Sequence, residues 1–235
     1  MTDRRIPDTI TEWVLPLWLR RQLDAESPHH VPDLADAVRA NRSSRTWTMV
    51  GALGDGPRAV VDPRGLVCPG TGWSLDWWVG AEDHWHVPSR TGAVRQQLLD
   101  GVPVVETRMR VPGGDVIQRV FVVRATADDG GGDVAVVEFE NESHVPVALA
   151  VAVRPYDVET LAEVRAVQVT EDAIVVDGVP AVLLPKPPNG VAAGTALGDS
   201  AQTVFAGAAV PAIDDTVRDD DGLAQAAAVY PLAHT

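Results

Sequence analysis

From Thr46 onward, apolar residues recur with a period of two, and the runs are cut at short intervals by Gly, Pro and Asp. Alternation sends successive side chains to opposite faces of an extended backbone, so each run reads as a strand with one face to bury. The residues between the runs are those that reverse a chain. The candidate strands are Thr46–Ala52, Ala59–Val61, Leu66–Cys68, Leu75–Val79, Val94–Leu99, Val104–Arg110, Val116–Ala125, Val134–Glu140, Val147–Arg154, Val164–Thr170, Ala173–Val176, Val179–Leu184, Thr203–Gly207 and Ala224–Tyr230. That density predicts an all-β chain, a large antiparallel β-sandwich. The clearest hairpin is at Asp177–Gly178, a pair suited to the two positive φ angles of a type I′ turn. Another turn is expected at Pro112–Asp115.

Ahead of the sheet the period changes. Leu15, Trp18, Leu19 and Leu23 share one helical face, and Pro16 suits a first turn, which predicts a helix over about 16–25. A second short helix is expected after Pro32, through Leu34, Ala37 and Val38. The division is therefore a helical lead segment over 1–44 and a sandwich over 45–235. Residues 128–133 and 185–190 read as loops between strands. Ala224–Thr235 reads as an apolar strand without a polar terminator, which leads to the expectation that the domain is truncated at this end. On that reading its bare face invites a homodimer or aggregation.

Formal charge is −14, and Lys186 is the single lysine. An acidic surface repels phosphate backbones and anionic lipid, so neither nucleic acid nor a membrane is expected as a partner. Neutral sugars meet no such barrier. The one cysteine, Cys68, excludes an internal disulfide, and the first residues lack the apolar core of a signal peptide. A cytoplasmic location is expected. No apolar run reaches the roughly 20 residues that span a bilayer.

Residues 72–88 hold four of the seven tryptophans. Alternation places Leu75, Trp77 and Val79 on one face, the natural core face, and Asp76 and Trp78 on the other. Trp85 stands between His84 and His86 in what reads as a loop. Asp76, Trp78, Asp83, His84, Trp85 and His86 are thus the candidates for a wet surface that meets carbohydrate or docks another domain. Asp76 and Asp83 lie among tryptophans, where desolvation raises a carboxyl pKa; pairing with an arginine such as Arg64, Arg90 or Arg95 is the equal alternative. His84 and His86 are two apart and point the same way on a strand, but a metal needs a third ligand. In a cupin-like arrangement a glutamate would follow, and Val87–Arg90 stands there instead. No metal is expected, although a small metal-dependent enzyme centred on Asp83, His84 and His86 remains a third reading.

Glu138, Glu140 and Glu142 alternate, which places neighbours roughly 7 Å apart on one face, inside the roughly 5–9.5 Å range of glycosidase carboxylates. The valines between them supply the buried side, so these acids read as a solvent face. Cys68, between Val67 and Pro69, reads as a structural thiol. Neither a nucleophile elbow nor a phosphate loop is present. No catalytic residue and no cofactor is expected.

Three runs carry a family resemblance: Val60–Gly65, Trp73–Trp77 with Leu75 and Asp76 inside it, and Val104–Thr107 followed by Asp115. They resemble the amino-terminal β-sandwich, or super-sandwich, of bacterial glucoamylase-like and glycogen-debranching-like enzymes. Val136–Asn141 with Val151–Pro155 is similar to the second part of that domain. The resemblance covers about 45–235 and implies a non-catalytic domain of a glycoside-hydrolase-like protein acting on an α-glucan or related carbohydrate. It implies an (α/α)6 barrel as partner, because in that family the barrel carries the two catalytic carboxylates. Nothing in this chain reads as such a barrel, so those acids have no counterpart here. The alternative is a stand-alone carbohydrate-binding protein in which Trp77, Trp78 and Trp85 offer ring faces to sugar.

Overall fold

A computed structural model describes residues 6–43, 46–52, 58–70, 72–125, 132–213 and 215–234. Part of the loop expected at 128–133 lies outside the described residues. The chain is mostly β, in three antiparallel sheets. The strands are β1 (Thr48–Val50), β2 (Ala59–Val61), β3 (Val67–Cys68), β4 (Ser74–Gly80), β5 (Trp85–His86), β6 (Val94–Leu98), β7 (Val105–Val111), β8 (Gly114–Ala125), β9 (Gly132–Asn141), β10 (Val147–Arg154), β11 (Ala166–Val169), β12 (Ala173–Val176), β13 (Val179–Leu183), β14 (Gly190–Gly194), β15 (Val217–Arg218) and β16 (Gln225–Leu232). Three short helices accompany them, α1 (Leu17–Leu23), α2 (Leu34–Arg39) and α3 (Ser200–Phe205). Among the described residues no helix is long and apolar enough to cross a membrane.

The large sheet runs β1-β2-β3-β4-β10-β16-β14, with β5 added on β4. Its register sets Trp77 opposite Val151 and Val151 opposite Ala228, so the bulkiest ring of the row sits beside progressively smaller side chains. Leu75, Trp77, Val79, Val151, Val153 and Ala226 belong to the main core. The opposing layer is made by two separate four-stranded sheets, β6-β7-β8-β9 and β13-β12-β11-β15. They supply Met109, Val116 and Val120, and Val167, Ile174 and Val176, to the same core. Asp177 and Gly178 have φ of 50° and 82°, as the type I′ turn between β12 and β13 requires.

The other face of the large sheet is lined by Ala150, Ala152, Ala192 and Ala227 around Trp78. Such small side chains admit a close third layer, which is α3 together with Val14 of the lead segment. The lead segment packs Trp13, Trp18 and Leu19 against Tyr156, Leu161 and Leu223. A helix of two turns has little stability alone, so α1 owes its form to this burial.

Three sequence expectations are corrected. Thr203–Gly207 is not a strand, since Thr203–Phe205 belong to α3. The Asp199 side chain caps that helix by accepting the Ala201 N–H, and Gly207 follows its end with φ of 67°. Trp85–His86 is a short strand paired with Val79 and Gly80, not a loop. The trailing apolar strand is not bare: β16 lies between β10 and β14, hydrogen-bonded on both sides and buried over most of its length. The exposed face on which dimerisation was expected is therefore covered within the chain.

Candidate functional site

The second layer of the sandwich is divided, and the division leaves a slot. β9 ends one four-stranded sheet and β13 ends the other. Both line one cavity of about 1280 Å³, floored by Leu75, Leu149, Val151 and Tyr230 of the large sheet. Phe139, Val137, Ala181 and Val182 flank it, half-buried against the core. Leu183 is 76% exposed and Val134 44%, so apolar surface continues to the rim. A terminal strand carries a row of N–H and C=O groups that its own sheet does not use. Pro180 in β13 agrees with that edge position, since proline cannot donate to a ladder. At the rim Arg119 pairs with Glu140 at 2.7 Å, and the Lys186 ammonium lies 5.9 Å from the Tyr230 ring centre. The slot thus combines an apolar floor, two strand edges and a sparse charged rim.

The aromatic stretch divides differently from the expectation. Trp77 is fully buried, as alternation predicts, with its Nε1–H donated to the Arg64 carbonyl at 3.2 Å and its ring 5.7 Å from Phe139. Trp78 and Asp76, expected on a wet surface, are buried as well, Trp78 to 0% exposure. The reason is α3: Phe205 meets the Trp78 ring edge-on at 5.4 Å. Trp78 donates its Nε1–H to Asp76 Oδ2 at 3.1 Å, and the Trp77 N–H donates to Asp76 Oδ1 at 2.9 Å. Burial pushes the Asp76 carboxyl up, against the pull of Arg154 and these hydrogen bonds. Neither Trp77 nor Trp78 has a ring face to offer a sugar. Trp85 is half-buried, stacked 5.5 Å from Phe205.

Asp83, His84 and His86 do come together, at the tip of the β4–β5 hairpin. His84 Nδ1 and His86 Nε2 each lie 2.9 Å from a different oxygen of Asp83. The hydrogen bond with His86 holds the Asp83 carboxyl below its usual range. These three residues offer one ligand atom each, all within 4.8 Å of one another.

The alternating glutamates are a solvent face in part and an ion-pair ladder in part. Glu142 meets Arg108 at 2.7 Å, and Glu138 is exposed. Glu106, almost wholly buried, accepts from both Arg108 (2.7 Å) and Arg119 (2.9 Å). Burial acts to raise its carboxyl, yet the two guanidinium bonds hold it below the usual range. Cys68 is buried, and burial pushes its thiol well up, which suits a structural side chain rather than a nucleophile.

Sequence reasoning located β9 and β13 as strands but missed that they border one slot. The available signal was Val179 and Leu183, apolar residues that flank the core-facing positions of β13 and are left exposed. Compared with protein-family models, curated proteins and solved structures, the chain has no match.

Proposed function

We propose that this chain is a non-catalytic β-sandwich module of a glycoside-hydrolase-like protein acting on an α-glucan or related carbohydrate. Its task is to hold an extended segment of the catalytic (α/α)6 barrel in the slot between β9 and β13. The observation that carries this reading is the slot itself: an extended segment entering it gains backbone hydrogen bonds from two strand edges while covering apolar surface. The lining, mostly Val, Leu, Ala and Pro, suits a polypeptide better than a sugar, which needs ring faces and convergent polar groups.

Two further points support it. Residues that carry the family resemblance do framework work here: Trp77 fills the core, and Glu106 ties two arginines together. Asn141 donates to the carbonyls of Val145 and Leu232, joining β9 to β16. The acids that alternate on β9 are committed to arginines or face solvent, so they do not flank a common substrate position.

The test has two arms. The purified chain, incubated with maltodextrin and isomaltose, is expected to release no sugar; turnover abolished by one carboxylate substitution would overturn the non-catalytic reading. A barrel encoded in the same gene or beside it, supplied as a separate polypeptide, is expected to bind the chain. Val182→Lys and Phe139→Lys should weaken that binding at least about tenfold, as loss of central apolar contacts does. Equal binding to both variants would overturn the assignment of the slot.

A further inference from the structure

The hairpin that joins β4 to β5 turns through residues 81–84, closed by the Ala81 N–H donating to the His84 carbonyl at 3.1 Å. Its tip carries the Asp83, His84 and His86 side chains described above. The imidazole rings of His84 and His86 are stacked at 4.1 Å with 30° between their planes. Two imidazole nitrogens and a carboxylate oxygen form the donor set preferred by first-row divalent ions of borderline softness. Bonds of roughly 2.0–2.2 Å to zinc place ligand atoms a little over 3 Å apart around a tetrahedral ion. Here each imidazole nitrogen is 2.9 Å from its own Asp83 oxygen, and one ligand atom from each residue lies within 4.8 Å of the others, so small side-chain shifts bring the three to that spacing.

We propose that the hairpin tip is a binding site for a divalent transition-metal ion, zinc in the first instance, held by Asp83, His84 and His86 with water completing the shell. The geometry is partly preorganised. His86 sits on β5 opposite Val79, with its side chain 11% exposed, so the large sheet fixes one ligand. Trp85 anchors the same strand: its ring packs so closely on Gly80 that a Cβ there would lie 3.0 Å from it, and it stacks on Phe205 of α3. Asp83 and His84, on the exposed turn, adjust to the ion. On binding, Asp83 stops bridging the two imidazoles and shares the ion with them; each ring releases to solvent the proton on the nitrogen that faced Asp83 and carries its one remaining proton on the nitrogen turned away. The ion then staples the turn to β5.

The test is titration of tag-free, metal-stripped protein with zinc chloride by calorimetry, and with cobalt chloride by visible absorption. One ion per chain is expected, with micromolar affinity and a cobalt d–d band typical of mixed nitrogen and oxygen ligands. Asp83→Asn, His84→Ala and His86→Ala should each weaken binding by at least about tenfold, with circular dichroism unchanged because the tip is at the surface. A His29→Ala/His30→Ala double variant, which removes the other neighbouring pair of histidines, should bind as the parent does. Absence of saturable binding, or binding that survives both His86→Ala and Asp83→Asn, would overturn the proposal.

Discussion

Arg154 and Asp199 form a bidentate ion pair with no solvent access, at 2.5 and 2.9 Å, across 45 residues of sequence. The pair does more than neutralise itself. Asp199 accepts the Val14 N–H at 2.7 Å, and Arg154 donates to the Val14 carbonyl at 2.9 Å, so both polar groups of one lead-segment residue are held by it. Asp199 also caps α3. One buried pair thus fastens the lead segment and α3 to the alanine-lined face of the large sheet.

Removing one partner leaves the other as an uncompensated buried charge, which costs about 3–5 kcal/mol. Arg154→Met and Asp199→Leu should each show a loss of that size in urea unfolding. The double variant should cost clearly less than the two losses added together, because an apolar pair carries no unpaired charge. It should still fall below the parent, since Val14 and the α3 cap lose their partners. Strict additivity would mean that the two charges do not depend on each other.

Truncating Trp77 or Trp78 to Ala should destabilise the fold by about 3–5 kcal/mol each, the range for a large buried aromatic. Trp85→Ala should cost less, because its ring is only half-buried and sits at a hairpin near the surface. Thermal or urea melts of the three variants check this, and a Trp78 variant as stable as the parent would contradict the packing under α3.

The fate of Trp78 shows how far the sequence was legible. Alternation separated the two faces of β4 correctly, and it marks a core face wherever one side is apolar. It says nothing about whether the second face is covered. That depended on α3, a helix of fewer than two turns whose apolar content suits a strand equally well. The Asp199 cap and the trailing Gly207 were the available signals, both single residues. Pairing was equally hidden: β16 reads as a terminal strand in sequence yet is an interior strand between β10 and β14, and β14, built from Val191, Ala192 and Ala193 between glycines, lacks the alternation that would mark it as a strand. The slot follows from sheet order, which is long-range information. By contrast, Asp83, His84 and His86 were visible as a group, because they stand within four residues of one another and a single hairpin turn brings them together.

Gly65→Ala should be strongly destabilising, and Gly178→Ala only mildly so. Both glycines have positive φ, 84° and 82°. At Gly178 nothing lies within 4 Å of an added Cβ, so only the backbone penalty of roughly 1–2 kcal/mol applies. At Gly65 the added carbon would come within 2.4 Å of Gln118 Oε1 and 2.7 Å of Trp77 Nε1, both buried. The turn must then lift off the Trp77 ring and lose its bond from the indole to Arg64. Urea unfolding of the two variants should separate them by more than about 1 kcal/mol, the size of a typical overpacking penalty.

Asp62 gives the chain a pH dependence of defined sign. Burial pushes its carboxyl up to about 6, although Oδ1 accepts the N–H groups of Arg64 (2.7 Å) and Leu66 (2.9 Å). The folded value lies above that of the unfolded chain, about 4, so folding takes up a proton between these values. The resulting stabilisation is fully present below about pH 4 and is lost as pH rises through about 6. Asn at this position keeps an oxygen for both N–H groups and cannot ionise. Asp62→Asn should therefore exceed the parent in stability at pH 8 by about 1–3 kcal/mol, from 1.4 kcal/mol per pKa unit, and should show no such advantage at pH 4. Urea unfolding of both proteins at pH 4, 6 and 8 measures the difference directly. The difference reports Asp62 together with its electrostatic coupling to Asp76, whose charge helps to raise it. A constant offset at all three pH values would mean that Asp62 titrates with the same pKa in the folded and the unfolded chain.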